Sequence, residues 1–116
     1  MKPMVVNFEQ QDDVCILRLE GRFATGQDSH YLRTKAEELK SSGRTKVVAD
    51  FSQVSYIDST GIGFLIAVYT SLTKDGGGSF VLAGPNLRVR QVLQLTKLNT
   101  ILNTYDDVAA AVAAVK

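Results

Sequence analysis

The stretch Lys46-Val-Val-Ala-Asp-Phe-Ser-Gln-Val-Ser-Tyr-Ile-Asp-Ser-Thr-Gly-Ile-Gly-Phe-Leu-Ile-Ala-Val-Tyr-Thr-Ser-Leu-Thr-Lys74 changes its apolar period partway along. Val47, Val48 and Ala49, closed by Asp50 and Phe51, form a short run rich in β-branched residues. Such a run suits a strand covered on both faces. From Gly61 onward the spacing becomes three and four, with Ile62, Leu65, Ile66, Tyr69 and Leu72 on one face, which predicts a helix ending near Lys74. Between the two lie Asp58, Ser59 and Thr60, residue types that accept hydrogen bonds from the unpaired N–H groups of a helix start. Of the three, Asp58 is the expected cap. The chain is thus expected to deliver an exposed hydroxyl to the positive end of a helix dipole.

Outward from this stretch, the same alternation of periods repeats. Val5 to Gln10 and Val14 to Gly21 read as strands around the polar turn Gln11-Asp12-Asp13, an opening β-hairpin. Cys15, Leu17 and Leu19 alternate with Arg18 and Glu20, which turns one face of the second strand inward. Arg22 to Gln27 reads as a loop, and Asp28 or Ser29 can cap a helix with Leu32, Ala36 and Leu39 on its core face and Gly43 at its end. After the break Gly76-Gly77-Gly78, Ser79 to Ala83 reads as a fourth strand, and Pro85 and Asn86 open a helix carrying Val89, Val92 and Leu93. Ile101 and Leu102 are expected to add a short edge strand, followed by an alanine- and valine-rich helix capped by Asp106 or Asp107. The order β β α β α β α β α predicts a single-domain α/β fold spanning residues 1–116. It is a mixed sheet of about five strands, mostly parallel, covered by about four helices.

Bulk composition narrows the functional classes. Thirteen basic and twelve acidic side chains leave a formal charge of +1, so no field steers the chain toward nucleic acid or anionic lipid. Cys15 is the only cysteine and falls in an apolar run, the pattern of a buried thiol in a reducing compartment. Neither a signal peptide nor an apolar run long enough to span a bilayer is evident, so a cytoplasmic location is expected.

Ser59 also invites comparison with the nucleophile elbow of serine hydrolases. That elbow needs small residues around the serine, and Ile57 stands two positions before it. The general base would have to be His30, the only histidine, whose neighbours Asp28 and Ser29 suggest a solvated first helical turn. Gly61 and Gly63 match only the first two glycines of a dinucleotide fingerprint, and Gly76-Gly77-Gly78-Ser79 lacks the lysine of a P-loop. One cysteine and one histidine cannot close a zinc site. No cofactor or metal is expected. A serine hydrolase with Ser59 as nucleophile is retained as an alternative.

A phosphate on Ser59 would face free backbone donors and the favourable end of the macrodipole, while the Asp58 carboxylate opposes it by like-charge repulsion. Gly61 and Gly63 would let a partner approach without a Cβ in the way. Asp58-Ser59-Thr60-Gly61-Ile62-Gly63 resembles the phosphoacceptor loop of the anti-sigma factor antagonists, STAS domains of bacterial partner-switching systems. The flanking patterns Asp50-Phe51-Ser52-x-Val54-x-x-Ile57 and Val89-x-x-Val92-Leu93-x-Leu95-Thr96-x-Leu98 resemble that family too, so the likeness covers nearly the whole chain. Ala24 departs from it, standing about where related sequences commonly carry an acidic residue.

The resemblance implies a non-catalytic module whose unphosphorylated form binds an anti-sigma factor that is also a serine kinase, freeing a sigma factor. It implies phosphorylation at Ser59, with Thr60 as the fallback acceptor, and removal of the phosphate by a serine phosphatase. Asp58, Ser59, Thr60, Gly61, Ile62, Gly63 and Phe64 would form the partner-binding loop. Phe64, Ala67 and Val68 lie off the main helical stripe, so Phe64 is expected either in the core or in a patch that a partner covers. A non-switching scaffold subunit of a larger complex is the remaining alternative.

Overall fold

A computed structural model of the chain describes residues 6–23, 34, 37, 38, 41, 46–74 and 78–116, and omits the side chains of residues 6–8, 21–23, 59, 60 and 64. Strands β1 (Val6–Gln11), β2 (Val14–Phe23), β3 (Lys46–Ile57), β4 (Ser79–Ala83) and β5 (Thr104–Tyr105) form one sheet in sequential order. The β1–β2 hairpin is antiparallel and every other pairing is parallel. Helices α1 (Ser59–Thr73), α2 (Leu87–Leu95) and α3 (Val108–Val115) follow β3, β4 and β5. The five-stranded mixed sheet is therefore the one its sequence predicts. Thr34, Glu37, Glu38 and Ser41 are helical. The capping of that segment by Asp28 or Ser29, its core residues Leu32, Ala36 and Leu39, and its end at Gly43 lie outside the described residues.

Two apolar layers sandwich the sheet. On one face Cys15, Leu17, Leu19, Val47, Ala49, Phe51, Phe80 and Leu82 pack under Ile62, Leu65, Val68 and Leu72 of α1 and Val89 and Leu93 of α2. On the other, Val14, Ile16, Val48, Val81 and Ala83 pack under Ala111 and Val112 of α3. Because alternate residues of β2, β3 and β4 are claimed by opposite layers, the centre of the sheet is apolar on both sides. Asp50 is the exception, 6 % exposed among the strands. Arg18, its register partner on β2, donates Nη1 to Asp50 Oδ2 at 2.7 Å, and the Ser52 amide donates to Asp50 Oδ1 at 3.0 Å. Arg18 also reaches Glu9 at 3.2 Å, so one guanidinium bridges carboxylates of β1 and β3 across β2.

Several expected boundaries move. β3 runs on to Ile57, because Val54 and Ile57 continue to bury while Ser52, Gln53 and Ser55 face solvent. β2 continues through Arg22 and Phe23, read from sequence as loop, by following β3 with two register shifts. The edge strand lies at Thr104–Tyr105, not at Ile101–Leu102. Lys97, at φ 62°, starts a tight 3-10 turn over Leu98–Thr100, and the amides of Ile101 and Leu102 both bond back to the Leu98 carbonyl. That turn consumes the backbone donors of Ile101 and Leu102 and drives Leu102 into the core, where it is fully buried.

Candidate functional site

Three strands end on one rim of the sheet, and each hands over to a helix. Each helix start is capped by a side chain the sequence supplies at that position. The Asp58 carboxylate accepts from the Gly61 amide at 3.1 Å, Asn86 Oδ1 from the Val89 amide at 2.8 Å, and Asp107 Oδ1 from the Ala110 amide at 2.8 Å. Asp58 is therefore the cap its residue type predicts, and Asp107 rather than Asp106 caps α3. The Ile62 amide bonds to the Asp58 carbonyl at 2.9 Å, which makes Ser59 and Thr60 the first two helical residues. The helix thus begins at Ser59, two residues earlier than the apolar spacing predicts, since a cap and its first turn carry no periodic signal.

At the chemical level, this is a serine backbone at the positive end of a fifteen-residue helix, directly after the buried end of β3. Ile57 is 1 % exposed and seals that end against the core. The elbow of a serine hydrolase needs a small residue there, so the local packing opposes that alternative. The expected exposure of the Ser59 hydroxyl, the fallback role of Thr60 and the surroundings of Phe64 lie outside the described residues, as do Ala24 and His30.

The glycines of the loop separate. Gly61 is buried in the first turn, while Gly63 is exposed and a Cβ there would meet nothing within 4 Å. Among the described residues, no packing requires a glycine at position 63. On α1 the core face is Ile62, Leu65, Val68 and Leu72, with Tyr69 partly buried against it, and Ile66 is 40 % exposed. Ile66 was expected on the core face and Val68 off it. The helix is apolar on nearly every side, so spacing alone did not fix its phase.

Sequence reasoning missed the brace that holds this rim together. Asn86 Nδ2 donates to the Val54 carbonyl at 3.1 Å, tying the start of α2 to the last residues of β3 before the serine. Gly84, at φ +66°, passes 3.3 Å from Ser52 Cβ when given a Cβ, so only glycine turns the chain there without strain. Both contacts span about thirty residues of sequence, which local pattern cannot report. Leu87 beside Asn86 is 70 % exposed.

Against known proteins, the sequence model of the STAS domain family matches residues 5–111. The chain belongs to the STAS domain family. It is 31 % identical over 106 residues to a candidate anti-sigma factor antagonist of Thermotoga maritima, covering 90 % of this chain and 92 % of that protein. A crystal structure of a candidate anti-sigma factor antagonist from Thermotoga maritima superposes with a TM-score of 0.87 at 30 % identity, over 95 % of this chain and 93 % of that one. The phosphorylated form of SpoIIAA, a Bacillus cell fate determinant, shares the fold with a TM-score of 0.74 at 20 % identity, over 97 % of this chain and all (100 %) of that one. Among the described residues, no helix is long and apolar enough to cross a membrane.

Proposed function

We propose that this STAS domain is an anti-sigma factor antagonist gated by phosphorylation of Ser59. Its unphosphorylated form binds an anti-sigma factor with serine kinase activity and thereby frees a sigma factor. The kinase moves the ATP γ-phosphate to the Ser59 oxygen, the hydroxyl proton leaving to a base, and a serine phosphatase later hydrolyses the ester. Gly61, Ile62, Gly63 and Phe64 belong to the same docking loop in this reading.

The observation that carries the reading is the Asp58-capped start of α1. It puts Ser59 in the first turn, where a phosphate meets the helix dipole rather than disrupting the helix. Gly63 supports it, because it is exposed and a Cβ there meets nothing among the described residues, which suits close approach by a partner. The likeness to relatives named as anti-sigma factor antagonists supports the partner class. Gating then needs no refolding. A phosphate adds roughly −1.5 to −2 charges at neutral pH. Burying that charge without a cationic partner costs several kcal/mol, on the order of a thousandfold in affinity.

Substitution tests the acceptor. Ser59→Ala retains binding to the anti-sigma factor but takes up no phosphate, whereas Ser59→Asp loses most of the binding. Equal affinity for wild type, Ser59→Ala and Ser59→Asp removes Ser59 from the interface. A phosphopeptide map separates Ser59 from Thr60, and a fluorophosphonate that labels Ser59 would instead establish a hydrolase.

A further inference from the structure

Between α2, the 3-10 turn and β5 lies a pocket of about 130 Å³, lined by Arg90, Leu93, Gln94, Asn99 and Thr104. Arg90 is the only charged residue of that lining. Its guanidinium is anchored twice, Nε donating to the Pro85 carbonyl at 3.1 Å and Nη1 to Thr104 Oγ1 at 3.4 Å. Nη2 makes no hydrogen bond among the described residues. It faces Asp106 Oδ1 at 3.6 Å, and the Asp106 side chain is 99 % exposed. Among the described residues, the side-chain amides of Gln94 and Asn99 also lack a hydrogen-bond partner. Between Asp75 and Asp106 the chain carries Arg88, Arg90 and Lys97 and no acidic residue.

We infer that this pocket receives one carboxylate, presented by a glutamate side chain of a partner protein. A planar guanidinium fork matches a planar carboxylate, and the two neutral amides supply further donors. Phosphate is the poorer occupant, because it brings nearly two charges to a single cation with Asp106 alongside. A water takes up about 30 Å³ of liquid, so the pocket holds about four heavy atoms, the end of a glutamate side chain from Cγ outward. Leu93, 1 % exposed, gives its methylene an apolar contact. Asp106 competes only weakly, since an exposed ion pair is worth little. The border of the pocket points to a protein rather than a free acid. Leu87 stands one turn before Arg90 and Leu95 directly after Gln94, 70 % and 84 % exposed. A free acid would leave both in water, whereas a peptide whose glutamate enters the pocket has them to cover. Arg88 and Lys97, both exposed, attract an acidic segment to the same face. None of these residues belongs to the loop around Ser59, so the inference stands without the phosphorylation reading.

The probe is acetyl-Leu-Glu-Ala-Leu-amide, titrated into the isotopically labelled full chain. Shifts should centre on Arg90, Gln94, Leu95 and Asn99. The same peptide with glutamine in place of glutamate should bind at least about tenfold more weakly, since it lacks the charge that Arg90 faces. Sodium propionate at matched ionic strength should shift Arg90 and Gln94 but bind at least about tenfold more weakly than the glutamate peptide. Arg90→Gln should lose at least about tenfold in peptide affinity, its fold checked by the urea midpoint. Asp106→Asn, at a position in full solvent, should gain about two- to threefold by removing the competing carboxylate. Equal binding of the two peptides, unchanged affinity in Asp106→Asn, inorganic phosphate binding more tightly than propionate, or shifts centred away from Arg90 each overturn the inference. Propionate binding as tightly as the glutamate peptide overturns the assignment to a partner protein.

Discussion

At the scale of single residues, Asp58 and Gly63 separate stability from recognition. Asp58→Ala removes the hydrogen bond to the Gly61 amide and should destabilise the domain by about 1 kcal/mol, read from the urea midpoint. Gly63→Ala should act in the opposite sense on the fold. Its Cβ meets nothing, so the helix gains roughly 0.4–1 kcal/mol from reduced chain entropy. Affinity for the anti-sigma factor should nevertheless fall at least about tenfold, because the partner needs the space that the Cβ fills. A variant that is stabler and binds as well as wild type would show that position 63 lies outside the interface. The cap was legible in the sequence because Asp58 before an apolar run is a residue type that accepts from the free amides of a helix start. The open space at Gly63 among the described residues was not, since it depends on how distant elements pack.

At the scale of elements, strand and helix order was legible, whereas phase and termini were not. β3 announced itself through a β-branched run and β4 through a short apolar run after three glycines, and Asn86 and Asp107 through cap chemistry. The phase of α1 was hidden because Val68 and Ile66 are equally apolar, and only the sheet beneath chooses between them. Leu65→Ala, at a fully buried position, should therefore destabilise by about 2–5 kcal/mol, and Ile66→Ala by well under half as much, both read by denaturant unfolding. Similar losses at the two sites would contradict the observed helix phase. β5 was misread at Ile101–Leu102 because strand propensity favours Ile, while the turn initiated at Lys97 takes the backbone hydrogen bonds that a strand would need. The brace from Asn86 to Val54 was invisible for a related reason, its partner being a carbonyl on another element.

At the scale of the whole molecule, ion pairs knit the start of β3 and Lys116 to the hairpin turn, while the serine rim lies at the other end of the parallel strands. Asp13 accepts from Lys46 Nζ at 2.8 Å, and Asp12 pairs with Lys116 at 2.6 Å. The hydrogen bond from Lys46 holds the Asp13 carboxyl below its ordinary value of 3.8. Its contribution to stability is therefore complete above that value and is lost as pH falls through the lower folded value. Asp13→Asn should flatten this acid limb in urea midpoints measured against pH, without changing partner binding near neutrality. The sheet supplies the rigid frame, and regulation is assigned to one charge at its rim. Titration calorimetry of the anti-sigma factor against Ser59-phosphorylated and dephosphorylated protein measures that assignment most directly. Affinity for the phosphorylated form should be weaker by about a thousandfold or more, for a charge that must be desolvated. Equal affinity for the two forms would contradict the account.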